Sequence, residues 1–344
     1  MPRISVADLA ALANTALRMS GASETMARAA AKYLVAADAQ GLATHGVARV
    51  STYCAHLKSG RAKGDAVPRI IRDSGAACLI DAAIGLGFEP CELAVEQAAQ
   101  RAQAHGIGFA GVTNSHHCGA LGLLIEPVAR AGMVALAFST APAAIAPWGG
   151  KRPLYGTNPV AAVFPRPAAP PLVVDLSLTQ VTRGQIMLLQ NEGKPIPEGW
   201  GMDKHGNPTT DAAAILNGGS LHAMGGAKGT MLALAVELIC CALTGAVLSH
   251  QLESLHLETG APLRLGQAFI VIAPTSLAGS DVYNERVEAL VHAMLEEEGV
   301  RLPGERRRKL AERAVNDGIP VSEALLSQLR ELAQTARLTH GLPP

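Results

Sequence analysis

The segment spanning residues 41–49, GLATHGVAR, places a group that can transfer protons close to a group that can bind an anion. Gly41 is typical of a residue that ends a helix in the left-handed conformation, and Thr44 is typical of the N-cap of the next helix. In that helix His45 and Arg49 would lie at i and i+4, on one face. Imidazole exchanges protons near neutral pH, and guanidinium binds carboxylates with two hydrogen bonds. The apolar face of the helix is predicted to consist of Val47, Val50, Cys54 and Leu57. The alternative is a helix cap followed by a histidine and an arginine at the surface.

The segment Asn114–Leu121, NSHHCGAL, follows a predicted strand and precedes a predicted helix. The carboxyl ends of strands are where α/β sheets bind their ligands. A His–His–Cys run also raises the possibility of zinc, but adjacent residues rarely reach one tetrahedral ion and no second set of ligands is present. We therefore predict no metal site. The remaining alternative is a polar loop that satisfies the backbone groups at the end of the strand.

The segment Tyr155–Pro159, YGTNP, precedes another predicted strand. The hydroxyl of Thr157 and the amide of Asn158 can hydrogen-bond a ligand carboxylate or carboxamide. A turn at the Asn-Pro dipeptide, with no role in ligand binding, explains these residues equally well.

The segment Gly225–Gly229, GGAKG, stands before an apolar run. Glycines at a helix N-terminus leave backbone N–H groups accessible, and Lys228 adds a positive charge, so the segment suits phosphate. The spacing is not that of a P-loop.

Gly106–Gly111 reads GIGFAG and matches the dinucleotide fingerprint G-x-G-x-x-G. In a Rossmann fold these glycines follow a strand and open a helix. Here they follow a predicted helix near 89–104 and enter a predicted strand at 109–113. Gly106 is better explained as a helix C-cap, so any nucleotide must be bound in another way.

The composition limits the class of protein. The 344 residues include 29 basic and 29 acidic side chains, a balance that argues against nucleic acid or an anionic membrane as a partner. The six cysteines form no C-x-x-C pair and suit a reducing cytoplasm, and the N-terminus lacks the pattern of a signal peptide. The apolar run Met231–Leu248 contains Glu237 at its centre, which is costly in lipid. We expect it to be a helix buried on all sides, in the core or at a subunit interface.

Periodicity predicts a helical start, an α/β middle and a helical end. Ser5, with Asp8 three positions later, predicts a capping box at the first helix. The basic stretch Lys58–Arg72 is expected to separate the regions, and 139–172 to be loop and edge strand. The two ends should pack as one helical domain, 1–72 plus 285–344, beside an α/β domain at 73–284. Predicted helices cover 5–19, 23–40, 45–59, 89–104, 120–131 and much of 280–338, and predicted strands lie near 77–83, 109–113, 133–139, 172–176 and 268–273.

The order of these segments resembles that of a known family, the type-2 malate/L-lactate dehydrogenases, which are NAD(P)-dependent oxidoreductases. The resemblance implies a non-Rossmann α/β (α+β) fold, a helical domain built from both chain ends, a central cofactor domain, and a homodimer with its sites near the subunit interface. The segments that carry it are GLATHGVAR (41–49), NSHHCGALG (114–122), PLYGTNPVAAVFP (153–165), VVDLSLTQVTRGQI (173–186), GKPIPEGWGMDKHGNPTTD (193–211) and GGAKGTMLALAVELICCALTGA (225–246).

The same resemblance assigns roles to residues. It implies His45 as proton donor, assisted by Thr44, and Arg49 as ligand of the substrate carboxylate, with His117 and Thr157 also touching substrate. Many members have serine before the histidine and an acid at the position of Gln185, thought to form a relay; here threonine keeps the hydroxyl, but glutamine holds no charge. The implied cofactor contacts are His117, Cys118, Gly119, Ala120, Leu121, Asp175, Leu176, Ser177, Lys228, Gly304, Glu305 and Arg306.

The missing acid favours one type of small-molecule substrate. A ketone becomes an alkoxide as hydride arrives and needs a proton donor, whereas a cyclic imine can enter already protonated. SHHCGALG and KRPLYGTNP also resemble the imino acid reductases of the family. We therefore expect reduction of Δ1-pyrroline-2-carboxylate, and of Δ1-piperideine-2-carboxylate, to L-proline and L-pipecolate.

The alternatives are reduction of a 2-oxo acid, such as oxaloacetate, pyruvate or a sugar-derived keto acid, a non-catalytic binding protein and a structural zinc protein. The choice between NADPH and NADH stays open, because the acidic residue that marks an NAD ribose belongs to the Rossmann fold, which this chain is not predicted to have. Arg183 or the cluster Arg306–Arg308 could meet a 2′-phosphate, and solvated surface arginines explain the same residues equally well.

Overall fold

The computed structural model describes residues 1–334, and the last residues of the predicted C-terminal helical region and domain (335–344) lie outside that range. Its centre is a seven-stranded sheet in the order β2-β3-β4-β10-β5-β6-β7. Two further strand pairs, β1 with β11 and β8 with β9, lie outside it. The strands are β1 Arg3–Ile4, β2 Arg69–Ser74, β3 Ala77–Asp81, β4 Ile107–Ser115, β5 Val134–Ser139, β6 Val160–Phe164, β7 Leu172–Leu176, β8 Gly201–Met202, β9 Ser220–Leu221, β10 Leu265–Ile272 and β11 Ile319–Pro320.

Helices cover the sheet and form a separate layer at the chain ends. They are α1 Val6–Met19, α2 Glu24–Ala39, α3 Val50–Ser59, α4 Phe88–His105, α5 Leu121–Arg130, α6 Arg183–Asn191, α7 Ala212–Leu216, α8 Ala227–Glu237, α9 Ser280–Leu295, α10 Glu305–Asp317 and α11 Glu323–Gln334.

The sheet is a mixed α/β arrangement in which β3 and β4 are parallel and the other neighbours are antiparallel. Strand β10 lies far along the chain, yet it inserts between β4 and β5. The segment predicted at 172–176 is β7, with the same bounds. Strand β2 was not predicted, and it occupies the end of the stretch expected to be a separator.

Local signals explain several element ends. The Ser5 side chain accepts a hydrogen bond from the Asp8 N–H at 3.0 Å, and Ser23 caps α2 in the same manner. Gly106 ends α4 in the left-handed conformation, with φ 85°, and the next glycines belong to β4. The helix-then-strand context predicted for the glycine motif is therefore confirmed.

The two chain ends meet. Strand β1 pairs with β11, and α1 packs against α11. The main hydrophobic core runs from this helical layer into the sheet without a break, because it contains Leu34 of α2, Phe88 of α4, Val271 of β10 and Leu329 of α11. The domain boundaries at 72/73 and 284/285 remain a prediction.

The helix predicted at 45–59 is wrong over its first turns. Two short 3₁₀ turns, Ala43–His45 and Val47–Arg49, precede α3, and Gly46 between them is extended. Thr44 lies inside the first turn and is not an N-cap. The predicted apolar face is buried as expected.

The helix predicted over Met231–Leu248 differs more. Helix α8 ends at Glu237 and continues as a π-helical turn, Leu238–Ala242. One face of this segment is exposed in the single chain, where Met231 is 66% exposed. The prediction that the segment is buried on all sides in the core is therefore wrong. The subunit-interface alternative remains a prediction. Within residues 1–334, no helix has the length and apolar character needed to cross a membrane.

Candidate active site

A cleft of about 390 Å³ opens between the helical layer and the carboxyl end of β4. It gathers residues from segments distant in sequence, among them residues of the 41–49, 114–121 and 155–159 motifs. Of the predicted site residues, those that line it are Thr44, His45, Arg49, His117, Cys118, Gly119, Ala120, Leu121, Thr157, Asp175, Leu176 and Ser177.

The turn between His45 and Arg49 is shaped by Asp38 on α2. Its carboxylate accepts a hydrogen bond from the Val47 N–H at 2.7 Å. A Cβ at Gly46 would lie 1.9 Å from Asp38 Oδ1, so the backbone there passes directly against the carboxylate. Burial raises the Asp38 pKa to about 6 and the Val47 hydrogen bond opposes that rise. This contact, rather than one helical face, brings the two predicted groups to the cleft.

His45 lies in the cleft wall, half-buried. Its Nδ1 is 3.0 Å from Thr44 Oγ1, and its ring stacks on that of His117 with centroids 5.5 Å apart. Burial, and after it the positive charges of Arg49 and Arg307, lower the His45 pKa to about 4. The ring is therefore neutral at neutral pH in the unliganded chain. Among the described residues, no hydrogen bond joins the Gln185 side chain to Thr44 or His45.

Arg49 is oriented by the backbone of the same turn. Its Nε donates to the Thr44 carbonyl at 2.8 Å, which leaves the two terminal nitrogens for another partner. Within residues 1–334, no ion pair engages this guanidinium. A guanidinium held in this way presents an end-on pair of donors that fits a carboxylate.

His117 follows β4, and its ring contacts Tyr53 of α3, which does not itself line the cleft. The Tyr53 Oη atom lies 2.6 Å from His117 Nδ1, and the Gly119 N–H donates to the same nitrogen at 3.3 Å. Burial is the main cause that holds the pKa of His117 well below its usual value, and electrostatic interactions with His45, Arg49 and the other neighbouring histidines act in the same direction.

Thr157 and Asn158 separate into different roles. Thr157 lines the cleft. Asn158 is fully buried, with φ 39°, and its amide donates to the Ala233 carbonyl and to Glu237 Oε2, each at 2.9 Å. The expectation that the Asn158 amide binds a ligand is therefore wrong. Buried Glu237 also accepts from the N–H and the hydroxyl of Ser249, each at 2.7 Å.

Asp175 and Arg307 form one edge of the cleft. Arg307 Nη1 pairs with Asp175 Oδ2 at 3.0 Å, and the Gly122 N–H donates to the same oxygen at 3.2 Å. Arg307 also lines a second cavity of about 220 Å³, which includes Gly304 and Glu305. Lys228, in the first turn of α8, and Arg306 line neither cavity.

Two cleft residues gave little signal in the sequence. Arg183, at the start of α6, was predicted only as a phosphate ligand, and no sequence pattern indicates His256. The positive charges of Arg49 and Arg183 both act on His256, whose pKa falls to about 4 mainly through burial. Residues 252–256 form an irregular segment without periodicity, so their place in the cleft depends on tertiary packing alone.

The cleft has features that suit a nicotinamide dinucleotide. Helix α5 begins at Leu121, and its N-cap residue Ala120 makes no side-chain hydrogen bond. The Gly122 N–H is bound by Asp175, which leaves the N–H groups of Leu121 and Leu123 in the first turn to donate to a phosphate. Arg307 joins the two cavities, and Arg308 adds charge to the second. Gly119 and Gly304 adopt positive φ, which lets the backbone turn closely there. The described residues contain no cluster of three side chains suited to a metal ion.

Known proteins resemble this chain over nearly its whole length. A (2R)-3-sulfolactate dehydrogenase (NADP(+)) of Chromohalobacter salexigens is 43% identical over 96% of this chain and 98% of its own. A Δ1-pyrroline-2-carboxylate/Δ1-piperideine-2-carboxylate reductase of Pseudomonas aeruginosa is 37% identical over 97% of this chain and 100% of its own. The crystal structure of Δ1-piperideine-2-carboxylate reductase from Pseudomonas syringae pv. tomato matches with a TM-score of 0.91 and 33% identity, over 96% of this chain and 100% of that one.

The family comparison agrees with these relatives. Residues 4–330 match the family described as malate/L-lactate dehydrogenase. The match covers the turn with His45 and Arg49, the loop after β4 and the Asp175–Arg307 edge. The resemblance predicted from the sequence is therefore confirmed, and the chain belongs to the malate/L-lactate dehydrogenase family of oxidoreductases.

Proposed function

We propose that this protein is an NAD(P)H-dependent reductase that acts on the sp² carbon next to a carboxylate. The observation that supports it most is the meeting of His45, Arg49 and His117 in one cleft, beside the N-terminus of α5. We further propose that the nucleotide is bound without a Rossmann glycine motif, through the 117–121 loop, Asp175–Ser177, Lys228 and the 304–306 loop. For Lys228 and Arg306, which line neither cavity, this proposal rests on the family resemblance alone.

Each of the cleft residues has a separate role in such a reaction. The terminal nitrogens of Arg49 hold the substrate carboxylate and fix its orientation, which supplies much of the advantage of bound reactants. NAD(P)H, when bound, supplies the hydride. His45, with Thr44 beside its Nδ1, supplies a proton to the neighbouring heteroatom or orients the water that does so. Thr157 and His117 donate hydrogen bonds to substrate oxygens.

A cyclic 2-imino acid is the first candidate substrate. The low His45 pKa and the neutral Gln185 leave little capacity to store a proton, and a protonated imine brings its own. The relatives named Δ1-pyrroline-2-carboxylate/Δ1-piperideine-2-carboxylate reductase support this candidate.

A 2-oxo acid with a second anionic group is the other candidate, and Arg183 favours it. This half-buried guanidinium lines the cleft, and burial alone lowers its pKa, because no acidic side chain among the described residues compensates it. Of the three arginines that line the cleft, Arg307 pairs with Asp175. A substrate with one carboxylate therefore leaves either Arg49 or Arg183 without a partner. The relative named sulfolactate dehydrogenase supports this candidate.

A substrate panel separates the candidates. Purified protein with NADPH, and separately with NADH, is assayed on Δ1-pyrroline-2-carboxylate, Δ1-piperideine-2-carboxylate, pyruvate, oxaloacetate and 3-sulfopyruvate. Higher kcat/KM on either imine supports the first candidate, and higher kcat/KM on the doubly charged acids supports the second. Arg183→Gln should raise KM for the doubly charged acids and leave that for pyruvate nearly unchanged. Absence of turnover on the whole panel would contradict the proposed function.

Variants at the two central residues test the mechanism. His45→Ala should lower kcat by about 10²- to 10⁴-fold, the usual contribution of a positioned acid or base, with little change in cofactor affinity. Arg49→Ala should mainly raise KM, because the carboxylate loses its ligand. His205→Ala, at an exposed position, is the control. Near-normal turnover of His45→Ala, or an unchanged KM of Arg49→Ala, would remove the residue from its role.

We also propose a cytoplasmic homodimer. The open face of α8 and the following turn presents Met231, Leu232, Leu234, Leu238 and Leu243, and such a patch is typical of an interface. All six cysteines are free and buried, as suits a reducing compartment. Light scattering during size-exclusion chromatography measures the mass in solution, and a monomer at micromolar concentration would contradict the dimer.

A further inference from the structure

Tyr53 contacts the active site without lining it. Its side chain is fully buried on α3, and its ring packs edge-on against Phe88 and His116, with centroids 5.9 and 5.5 Å away. Its oxygen lies 2.6 Å from Nδ1 of His117, whose ring forms part of the cleft wall. The hydroxyl is thus the link between the core and the cleft histidine.

The hydrogen bonds around His117 Nδ1 allow one arrangement of protons. The Gly119 N–H is always a donor, and it points at Nδ1 from 3.3 Å. The buried Tyr53 hydroxyl needs an acceptor, and within residues 1–334 its hydrogen-bonding neighbours are His117 Nδ1 alone. A proton on Nδ1 would face the Gly119 N–H and leave the tyrosine proton without an acceptor. Nδ1 therefore accepts, and a neutral ring carries its proton on Nε2.

We propose that Tyr53 is a positioning residue that fixes His117 as the neutral Nε2–H tautomer, a permanent hydrogen-bond donor on the cleft side. The surroundings agree with a neutral ring, since His117 lies near Arg49, His45 and His256, where a further positive charge is unfavourable. No described residue hydrogen-bonds to Nε2, so this donor remains free for a ligand oxygen.

The consequence is a division of roles between two stacked rings. His45 and His117 lie 5.5 Å apart, so both cannot become positively charged at low cost. A His117 held neutral leaves His45 as the ring that gains and loses the proton, while His117 only donates a hydrogen bond. The assignment of proton transfer to His45 rests on the proposed function, whereas the tautomer of His117 is a property of the protein without substrate.

The direct test is nuclear magnetic resonance of the full chain labelled with [¹⁵N]histidine. Long-range ¹H–¹⁵N correlations distinguish the Nδ1–H tautomer, the Nε2–H tautomer and the imidazolium ion, and His117→Asn assigns the signal. We expect the Nε2–H pattern for His117 in the unliganded protein at pH 6.0 and at pH 7.5. The Nδ1–H tautomer or the imidazolium ion at either pH would overturn the proposal, whatever the enzymatic activity proves to be.

Tyr53→Phe then tests the hydroxyl. It keeps the ring contacts with Phe88 and removes the shorter of the two hydrogen bonds to Nδ1. The Gly119 N–H, at 3.3 Å, is the weaker donor and does not hold the tautomer by itself, so the Nδ1–H tautomer or a titrating ring should appear. We expect about a three- to tenfold lower kcat/KM, the loss expected for one net hydrogen bond. The matched control is Tyr33→Phe, whose ring also stacks on Phe88 but whose hydroxyl bonds Glu92. A Tyr53→Phe protein with an unchanged His117 tautomer would overturn the role of Tyr53.

Discussion

His45 and Arg49 reach the cleft because a turn between them is fixed by one carboxylate. The sequence indicated the chemistry of the two residues and their proximity. It predicted a continuous α-helix for the backbone between them, where the structure has two 3₁₀ turns separated by an extended Gly46. A helical repeat from Thr44 was plausible because caps and apolar spacing are local signals. The contact of Asp38 with Gly46 and Val47 joins residues across a helix end, and no local pattern encodes it.

Gly46→Ala tests this turn. The new Cβ would fall 1.9 Å from Asp38 Oδ1, so the turn must move and carry His45 and Arg49 with it. We expect kcat/KM to fall by about 10²-fold, the effect of displacing reacting groups by about 1 Å. Steady-state kinetics and circular dichroism separate a displaced site from an unfolded chain.

The double variant Asp38→Ala/Gly46→Ala is the control for that contact. Removing the carboxylate makes room for the Cβ, so the two effects should be less than additive when expressed as changes in the activation free energy. Full additivity would show that the clash with Asp38 is not what harms the Gly46 variant.

At the scale of elements, regular helices and strands were predictable and irregular segments were not. Helices α1 and α2 began where Ser5 and Ser23 predicted, and β7 matched residue by residue, because caps and short apolar runs act locally. The 252–256 segment and the start of α6 supply cleft residues by tertiary packing. For the apolar run after Gly229 the placement in the core was wrong, because a hydrophobic face that is exposed in the single chain and one that is buried in the core have the same composition.

Glu237 connects three elements that surround the site. It lies where α8 becomes a π-helical turn, and its carboxylate binds Asn158 next to Thr157 and Ser249 before the 252–256 segment. A buried carboxylate satisfied by several donors orders the segments that carry them. We infer that it fixes two walls of the cleft relative to each other.

Glu237→Gln tests that inference. The new amide N–H groups would face the donors of Asn158 and Ser249, so a buried donor loses its acceptor. We expect the free energy of unfolding to fall by about 2 to 4 kcal/mol, and KM to rise because Thr157 loses its support. Urea unfolding and steady-state kinetics measure the two effects. Glu96→Gln, at an exposed position of α4, should change neither, and equal behaviour of both variants would contradict the inference.

At the scale of the whole molecule, histidines concentrate around the cleft and give the protein a predictable acid sensitivity. Burial is the main cause that lowers the pKa of His45 and His256 to about 4, that of His116 to about 3, and that of His117 well below its usual range. In the unfolded chain these rings titrate near 6.5. Between about pH 6.5 and pH 4 the unfolded state therefore binds more protons, and the free energy of unfolding falls as the pH falls.

The Asp38 carboxyl opposes this trend, since its raised pKa favours the folded state at lower pH. Four histidines with lowered pKa values act against this one carboxyl, so their effect on the free energy of unfolding dominates. We expect the free energy of unfolding to fall by about 1 kcal/mol for each such histidine between pH 7.5 and pH 5.5. Urea unfolding at the two pH values measures the difference. Replacing His116 by asparagine should reduce it, and replacing exposed His205 should not; equal or greater stability at pH 5.5 would contradict the prediction.

The pairing of β1 with β11 has a consequence for how the chain matures. Residues Arg3 and Ile4 find their partners only at Ile319 and Pro320, and α1 packs against α11. Because α11 lies far along the chain from α1, the part of the α1 apolar face that packs on α11 stays uncovered until that later segment has been synthesised, whereas α2 can cover its part at once. Closing so large a loop is slow, which leaves that face open to chaperones or to aggregation in the interval. The helical layer beside His45 and Arg49 is thus completed only after the strands of the central sheet have been synthesised.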